Sequence, residues 1–212
     1  MFSWGARSGE KSAPAQPAAL IVESLSASRA LPKFISALAG LPAPTLLDLG
    51  PVVGANVSFF GERLSCKMVI EDLYEDIDAA ARKGTTEGLA EILTGRIASA
   101  ASGPIDGVLC WDIFDYLDRP TARALALSLR GALAPKGVLH GFFGTTSADL
   151  KHRTKFIVQS ETSVKCRCEP GQTIHRTPLQ SGEIARLFEG LNVVESVLLQ
   201  SKTRESLFRL PG

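Results

Sequence analysis

The sequence is poor in several residue types that mark specialised protein classes. Its 212 residues include four cysteines, three histidines, two tryptophans and two tyrosines. Four cysteines in a chain of this length do not make a disulfide framework, and a reduced, cytoplasmic protein is the simplest setting for them. The stretch 1–19 has no apolar centre and therefore does not resemble a secretory signal. We expect a cytoplasmic protein without a disulfide scaffold.

Charge of one sign and long apolar runs are also missing. Lysine and arginine number 23, aspartate and glutamate 22, and the formal net charge is +1. Dedicated nucleic-acid binders usually carry a clear basic excess, so the composition argues against a nucleic-acid partner. No apolar run reaches the roughly 18 residues of a membrane-spanning helix, and we expect no membrane association. Hydrophobic residues make up 45% of the chain, which is enough for a full core.

The first 20 residues differ from the rest of the chain. They are rich in Ser, Ala, Pro, Gly and charge, a composition that buries little apolar surface. We predict a flexible tail over 1–20 and one folded domain over 21–212. Apolar strands near 156–158 and 164–168 predict a hairpin insertion over 145–180 that caps this domain.

Short apolar runs alternate with helical patterns in the body of the chain. Leu125, Leu129 and Leu133 recur at helical spacing between two of the runs. The predicted strands are 45–49, 66–70, 107–111 and 137–143. Strands that are apolar on both faces and separated by helices form a parallel sheet covered on both sides.

Two further strands are predicted near the C-terminus, at 193–199 and 206–210. The few polar residues between them are too short for a parallel crossover, so we expect an antiparallel pair. The fold class is therefore α/β.

The first strand of the body ends in a glycine turn that extends from Asp48 to Gly54. A glycine turn at the carboxyl end of such a strand lets a ligand approach the backbone and leads into a helix N-terminus. An ordinary turn is the alternative. The spacing from Gly50 to Gly54 is not that of dinucleotide enzymes, which argues against a nucleotide-dependent oxidoreductase, and no P-loop lysine follows.

Acidic residues follow the second strand, about 20 residues after the turn. Glu71 and Asp72 are positioned to accept hydrogen bonds from both ribose hydroxyls of a bound nucleoside. Because the acidic run continues to Asp78, a solvated loop is the alternative.

Four segments, taken in order, resemble the class I S-adenosylmethionine-dependent methyltransferases. They are 46–54, 69–73, 105–112 and 129–139. The resemblance implies a three-layer, Rossmann-like fold with a mostly parallel seven-stranded sheet and an antiparallel C-terminal strand pair. It also implies S-adenosylmethionine as the cofactor and methyl transfer as the activity.

The resemblance also implies roles for individual residues. Asp72 corresponds best to the ribose acid, with Glu71 as its rival, and Leu73 would lie against the adenine. The remaining cofactor-binding positions that the resemblance implies are Asp48, Gly50 and Gly54 at the methionine end, and Cys110 and Trp111 where methyl group and acceptor meet.

Asp112, at the end of the fourth strand, is the candidate catalytic base or acceptor-orienting group; the alternative is a carboxylate that caps the next loop. The crevice rim is acidic and would repel a phosphate backbone, so a small molecule or a protein group is the expected methyl acceptor.

Cys166 and Cys168 alone are too few ligands for zinc, and we predict no metal. The basic residues of 151–180 recognise an anionic acceptor or belong to a solvated hairpin. The sequence does not specify an oligomeric state.

The chain departs from the family pattern at two points. Val52 stands where the glycine motif has its middle glycine and would narrow the wall beside the methionine end. No third strand or third-strand acid is evident between Tyr74 and Gly107, and 86–101 is typical of a helix. These departures support a second hypothesis, a catalytically silent protein of this fold that acts as a binding or regulatory module.

Overall fold

A computed structural model describes residues 22–212, and the predicted tail over 1–20 lies outside them. The strands are β1 (Val22–Ala27), β2 (Thr45–Asp48), β3 (Lys67–Ile70), β4 (Ile105–Trp111), β5 (Leu133–Gly144), β6 (Ala148–Ser160), β7 (Ser163–Arg176), β8 (Asn192–Leu198) and β9 (Thr203–Arg209). The helices are α1 (Ala30–Leu38), α2 (Gly54–Leu64), α3 (Tyr74–Lys83), α4 (Leu89–Ala100), α5 (Arg119–Ala132) and α6 (Ser181–Leu187), with a 3-10 turn at Ile113–Tyr116.

The main sheet is mixed and has the strand order β3-β2-β4-β5-β9-β8. The first four strands are parallel, and β9 and β8 are antiparallel to their neighbours, which confirms the predicted C-terminal pair. The expectation of seven strands is wrong for the described residues, where this sheet has six. The segment expected to hold the missing strand folds instead into α3 and α4, separated by Gly84 and Gly88 in left-handed backbone conformations that favour glycine.

Both faces of the main sheet are buried. Consecutive residues of a strand point to opposite faces, so Leu46 and Leu109 pack with α1 and α2, while Leu47 and Val108 pack with α3, α4 and α5. This two-sided burial explains why consecutive residues in the middle of these parallel strands are apolar.

A second, three-stranded antiparallel sheet has the order β1-β7-β6. The hairpin of β6 and β7 contains the two strands predicted near 156–158 and 164–168, and it extends well beyond them. β1 has no counterpart in the sequence prediction, because its side chains are mostly exposed and it pairs with β7 across more than 130 residues. The hairpin lies against α2 and thereby covers part of the crevice described below.

Buried Glu205 of β9 ties the start of α1 to the main sheet. Its carboxylate accepts a hydrogen bond from the Ser28 hydroxyl, one from the Arg29 N–H at 2.8 Å, and lies 2.9 Å from Nε2 of buried His140. Burial raises the pKa of Glu205, but the His140 and Ser28 contacts outweigh it and hold that pKa below its usual value. These contacts orient α1 across β5 and β9.

Candidate active site

The glycine turn lies at the point where the sheet reverses its strand order. β3 lies on one side of β2 and β4 on the other, so the carboxyl ends of β2 and β4 border a crevice. Ligands of open α/β sheets bind at such a switch point. The turn connects Asp48, the last residue of β2, to Gly54, the first residue of α2. Asp48 is buried, and its Oδ1 accepts a hydrogen bond from the Gly50 N–H at 2.9 Å.

The indole of Trp111 lies directly against this turn. Its Nε1 donates a hydrogen bond to the same Asp48 Oδ1 at 2.5 Å. A Cβ atom on Gly50 would lie 2.7 Å from Cδ1 and 2.9 Å from Nε1 of the indole, so this contact requires glycine. Burial raises the pKa of the Asp48 carboxyl to about 6, although the hydrogen bonds from Gly50 and Trp111 lower it. The space next to the turn is therefore filled by the indole ring.

Aromatic rings from the hairpin and from β5 enclose the indole. Phe156 stacks on Trp111 with 5.3 Å between ring centroids and 3° between ring planes, and Phe142 stacks on Phe156 at 5.1 Å. Asn56, in the first turn of α2, binds the backbone of β6 at two points. Its Nδ2 donates to the Phe156 carbonyl at 2.9 Å, and its Oδ1 accepts from the Val158 N–H at 2.8 Å. Trp111 is consequently only 3% exposed.

The two candidate ribose acids have different surroundings. Glu71 forms an ion pair with Arg96 of α4, with 2.8 Å between Oε2 and Nη2. Asp72 lines an open cavity, takes part in none of the ion pairs within residues 22–212, and accepts a hydrogen bond from the Tyr74 N–H at 3.1 Å. Burial raises the pKa of Asp72, and the negative charge of Glu75 adds to this effect. Asp72 is thus the carboxylate that faces the crevice.

The open cavity beside Asp72, here called the outer cavity, has a volume of about 310 Å³. Its lining combines backbone of the glycine turn, the start of α3 and the hairpin: Pro51, Asp72, Tyr74, Glu75, Asp78, Arg153, Thr154, Lys155, Glu169 and Pro170. The two basic side chains are neutralised, because Arg153 pairs with Asp78 and Lys155 pairs with Glu169. The remaining charge of the lining is acidic, from Asp72 and Glu75.

Asp112 is buried between the only two tyrosines of the chain. Its Oδ1 accepts a hydrogen bond from the Tyr74 hydroxyl at 2.5 Å, and its Oδ2 accepts one from the Tyr116 hydroxyl at 2.8 Å. The guanidinium of Arg153 lies over both rings, 5.3 and 4.5 Å from their centroids. Burial raises the pKa of Asp112, whereas the tyrosine hydrogen bonds and Arg153 lower it. Each oxygen of Asp112 already has a donor, so this carboxylate is held in place by its neighbours.

A second cavity, the inner cavity, has a volume of about 160 Å³ and lies between the two sheets. Asp112, Asp115, Phe142, Phe156 and Cys166 are among its lining residues. Asp115 is 1% exposed, and burial raises its pKa to about 7, with a further contribution from the charge of Asp112. The hairpin forms one wall of both the inner and the outer cavity. Asp112, which lines the inner cavity, is hydrogen-bonded to Tyr74, which lines the outer cavity.

Several predicted site residues do not reach the crevice. Leu73 and Cys110 are fully buried in the core, and burial raises the pKa of the Cys110 thiol. Gly54 has open space around it, so nothing in this conformation requires glycine there. Val52 is 70% exposed, and its effect on the methionine end stays a prediction. Trp111 fills that space.

Sequence reasoning missed four residues of the site: Asn56, Tyr74, Tyr116 and Arg153. A signal existed for the tyrosines, since a chain with only two places one beside Asp72 and the other four residues after Asp112. Asn56 and Arg153 gave no local signal, because their partners are distant in sequence. The basic hairpin residues are largely paired with acids, as Arg167 is with Glu23, which favours the solvated-hairpin alternative.

Within residues 22–212, no group of three or more His, Cys, Asp or Glu side chains is placed to hold a metal ion. None of the helices in this part of the chain combines the length and apolar character needed to cross a membrane.

Comparison with known proteins identifies the fold. The sequence matches no protein-family model and no curated protein at a significant level. Solved structures do match. The N-methyltransferase NodS from Bradyrhizobium japonicum WM9, in complex with S-adenosyl-L-homocysteine, is 16% identical, with a TM-score of 0.50 over 86% of each chain. A 1,6-didemethyltoxoflavin-N1-methyltransferase from Burkholderia thailandensis is 15% identical, with a TM-score of 0.48 over 87% of this chain and 78% of that one. The likeness to NodS shows that this chain has the α/β fold of class I S-adenosylmethionine-dependent methyltransferases.

Proposed function

We propose that this chain binds S-adenosylmethionine at the carboxyl ends of β2, β3 and β4 and transfers its methyl group to a small molecule or a protein group. The observation that carries the proposal is Asp72, a half-buried carboxylate outside the ion pairs of residues 22–212, on the wall of a 310 Å³ cavity beside the glycine turn. A carboxylate at this position accepts hydrogen bonds from both ribose hydroxyls of a nucleoside.

The residues fit the two halves of the ligand differently. The outer cavity suits the nucleoside half. Asp72 would accept hydrogen bonds from the ribose hydroxyls, and Pro51 and Tyr74 would form apolar walls. Glu71 is not available for this role because it forms an ion pair with Arg96. The methionine half does not fit this conformation, because Trp111 occupies the surface of Gly50 and uses the Asp48 carboxylate. When bound, S-adenosylmethionine supplies a methyl group that its sulfonium has already activated.

The acceptor side is proposed to be the inner cavity and its entrance. Asp112, which its two tyrosine bonds hold in one orientation, is the candidate group for orienting the acceptor. The acidic lining of the outer cavity and the buried Asp115 disfavour a polyphosphate acceptor, which supports a small molecule or a protein side chain.

The experiment is calorimetric titration of the chain with S-adenosylmethionine and S-adenosylhomocysteine. We expect dissociation constants in the micromolar range typical of metabolite sites. Asp72→Ala should weaken binding about tenfold or more, the equivalent of at least about 1.4 kcal/mol. The matched control is Glu71→Gln, which should bind nearly as the parent does. The reverse pattern would make Glu71 the ribose acid, and no binding of either compound at millimolar concentration would exclude the proposal.

A second candidate function is favoured by the indole that fills the methionine end. The chain would then be a catalytically silent protein of this fold that acts as a binding or regulatory module. Methyl transfer to a panel of amines, hydroxyls, thiols and peptides, followed with a labelled methyl group, separates the two candidates. Labelled product that disappears with Asp72→Ala supports the enzyme. Ligand binding without product from any acceptor class supports the silent module.

A further inference from the structure

The methionine end of the crevice is closed from inside the protein. The Trp111 indole lies within van der Waals contact of Gly50, its Nε1 is bonded to Asp48 at 2.5 Å, and Phe156 covers its outer face at 5.3 Å. A ligand group that contacts the glycine turn has to replace this ring, because the two cannot occupy the same volume.

The backbone of Trp111 is itself in an unusual conformation. Its φ of +49° lies in the left-handed region, which is unfavourable for a residue with a bulky side chain. The surrounding contacts maintain this conformation, and strained residues of this kind concentrate at functional sites.

The hairpin holds the closed arrangement. Phe156 belongs to β6, and Asn56 of α2 fastens that strand through the Phe156 carbonyl and the Val158 N–H. α2 is the helix that begins at the glycine turn, so one helix both borders the ligand site and secures the cover over Trp111. Movement of the indole is therefore coupled to the packing of β6 on α2.

We propose that Trp111 is a gate for the methionine end of the crevice: its indole competes with the amino-acid part of the S-adenosyl ligand for Gly50 and Asp48. The proposal rests on the proposed function, since it concerns the same ligand. Because only the open fraction of the protein binds, closure weakens the apparent affinity in proportion to the closed population. The nucleoside part of the ligand, which lies in the outer cavity, is not affected by the gate.

The first test uses Trp111 as its own reporter. The chain has two tryptophans, so Trp4→Phe leaves Trp111 as the sole tryptophan, which is excited at wavelengths where tyrosine does not absorb. Titration with S-adenosylhomocysteine should shift its emission to longer wavelength and increase its quenching by acrylamide. 5′-Methylthioadenosine, which lacks the amino-acid part, should bind without either change. Calorimetric binding of S-adenosylhomocysteine with unchanged Trp111 emission would overturn the gate.

The second test removes the ring. Trp111→Ala should bind S-adenosylhomocysteine about tenfold or more tighter than the parent and leave the affinity for 5′-methylthioadenosine unchanged. Trp111→Phe keeps a ring for stacking but loses the bond to Asp48, and should fall between the two. Circular dichroism and thermal melts establish that each variant is folded; if Trp111→Ala is not, the decision rests on Trp111→Phe and on the emission test.

Each remaining outcome decides between the gate and the proposed function. If the parent binds neither S-adenosyl compound and Trp111→Ala binds S-adenosylhomocysteine, the gate stands, and the proposed function fails for the parent because its crevice is closed. If 5′-methylthioadenosine binds but no Trp111 variant binds S-adenosylhomocysteine more tightly than the parent does, the gate is wrong and the nucleoside site remains. If neither compound binds to any folded variant, the proposed function fails and the gate fails with it.

Discussion

Replacement of Asp115 by asparagine is expected to change how the stability of this protein depends on pH. Asp115 is 1% exposed, its Oδ2 accepts a hydrogen bond from the Gly144 N–H at 2.7 Å, and its Oδ1 has no partner within residues 22–212. Burial raises its pKa from 3.8 to about 7. A carboxyl whose pKa is higher in the folded state contributes stability that is fully present below about pH 4 and is lost as pH rises through about 7.

The size of the effect follows from this shift. Between pH 5 and pH 8 the unfolded chain gains almost the full free energy of ionising this carboxyl, while the folded protein gains only the part above pH 7. The difference corresponds to about two pKa units, or about 2 to 3 kcal/mol of lost stability. The asparagine variant does not ionise and does not suffer this loss, whatever constant cost its amide adds.

The assay is urea unfolding of both proteins at pH 5, 6, 7 and 8. The stability of Asp115→Asn relative to the parent should rise by about 2 to 3 kcal/mol over this range. Asp48, whose pKa is also raised, is present in both proteins and cancels in the comparison. Glu62→Gln, a substitution on the exposed face of α2, is the control. Stability curves that remain parallel from pH 5 to pH 8 would refute the argument that burial keeps Asp115 protonated.

Three further substitutions test other parts of the fold. Glu205→Gln replaces a buried carboxylate that binds His140 and should lower the free energy of unfolding by about 3 kcal/mol; a loss below about 0.5 kcal/mol would contradict this. Asn56→Ala removes both hydrogen bonds to β6, so limited proteolysis should cleave the hairpin faster than in the parent, and equal rates would show that the hairpin is held by other contacts. Asp118→Ala removes the side chain that caps α5 at the Thr121 N–H and should cost about 1 kcal/mol in urea unfolding, with Asp118→Asn, which can still cap, as the control.

Local residue patterns and the lengths of the connections between elements predict much of the fold. β2 and β4 contain the consecutive apolar residues 46–47 and 108–111 because both faces of the sheet are covered, and the leucines of α5 recur at helical spacing, so each element is visible in its own sequence. The antiparallel relation of β8 and β9 follows from a connection too short to cross the sheet. The helix predicted over 86–101 was also right, and it is the expectation of a seventh strand, taken from the resemblance, that was wrong.

The position of Asp72 beside the crevice was likewise accessible from sequence, because residues that follow neighbouring parallel strands meet at one edge of the sheet. The ion pair that distinguishes Glu71 from Asp72 was not. It depends on Arg96, which lies on α4 and draws Glu71 into an ion pair. The resemblance ranked Asp72 ahead of Glu71, but the different surroundings of these adjacent acids come from the packing of a third element.

The state of the methionine end was decided by tertiary structure alone. The sequence identified Gly50 and Trp111 as neighbours of the site and Val52 as the departure from the family pattern. The protein instead exposes Val52 and lays the indole on Gly50, held by Phe156, a residue of the hairpin 45 positions later in the chain. Strand and helix periodicity determine which face a side chain occupies. Whether the space on that face stays open or is filled depends on side chains brought together from distant segments, and no local pattern records that contact.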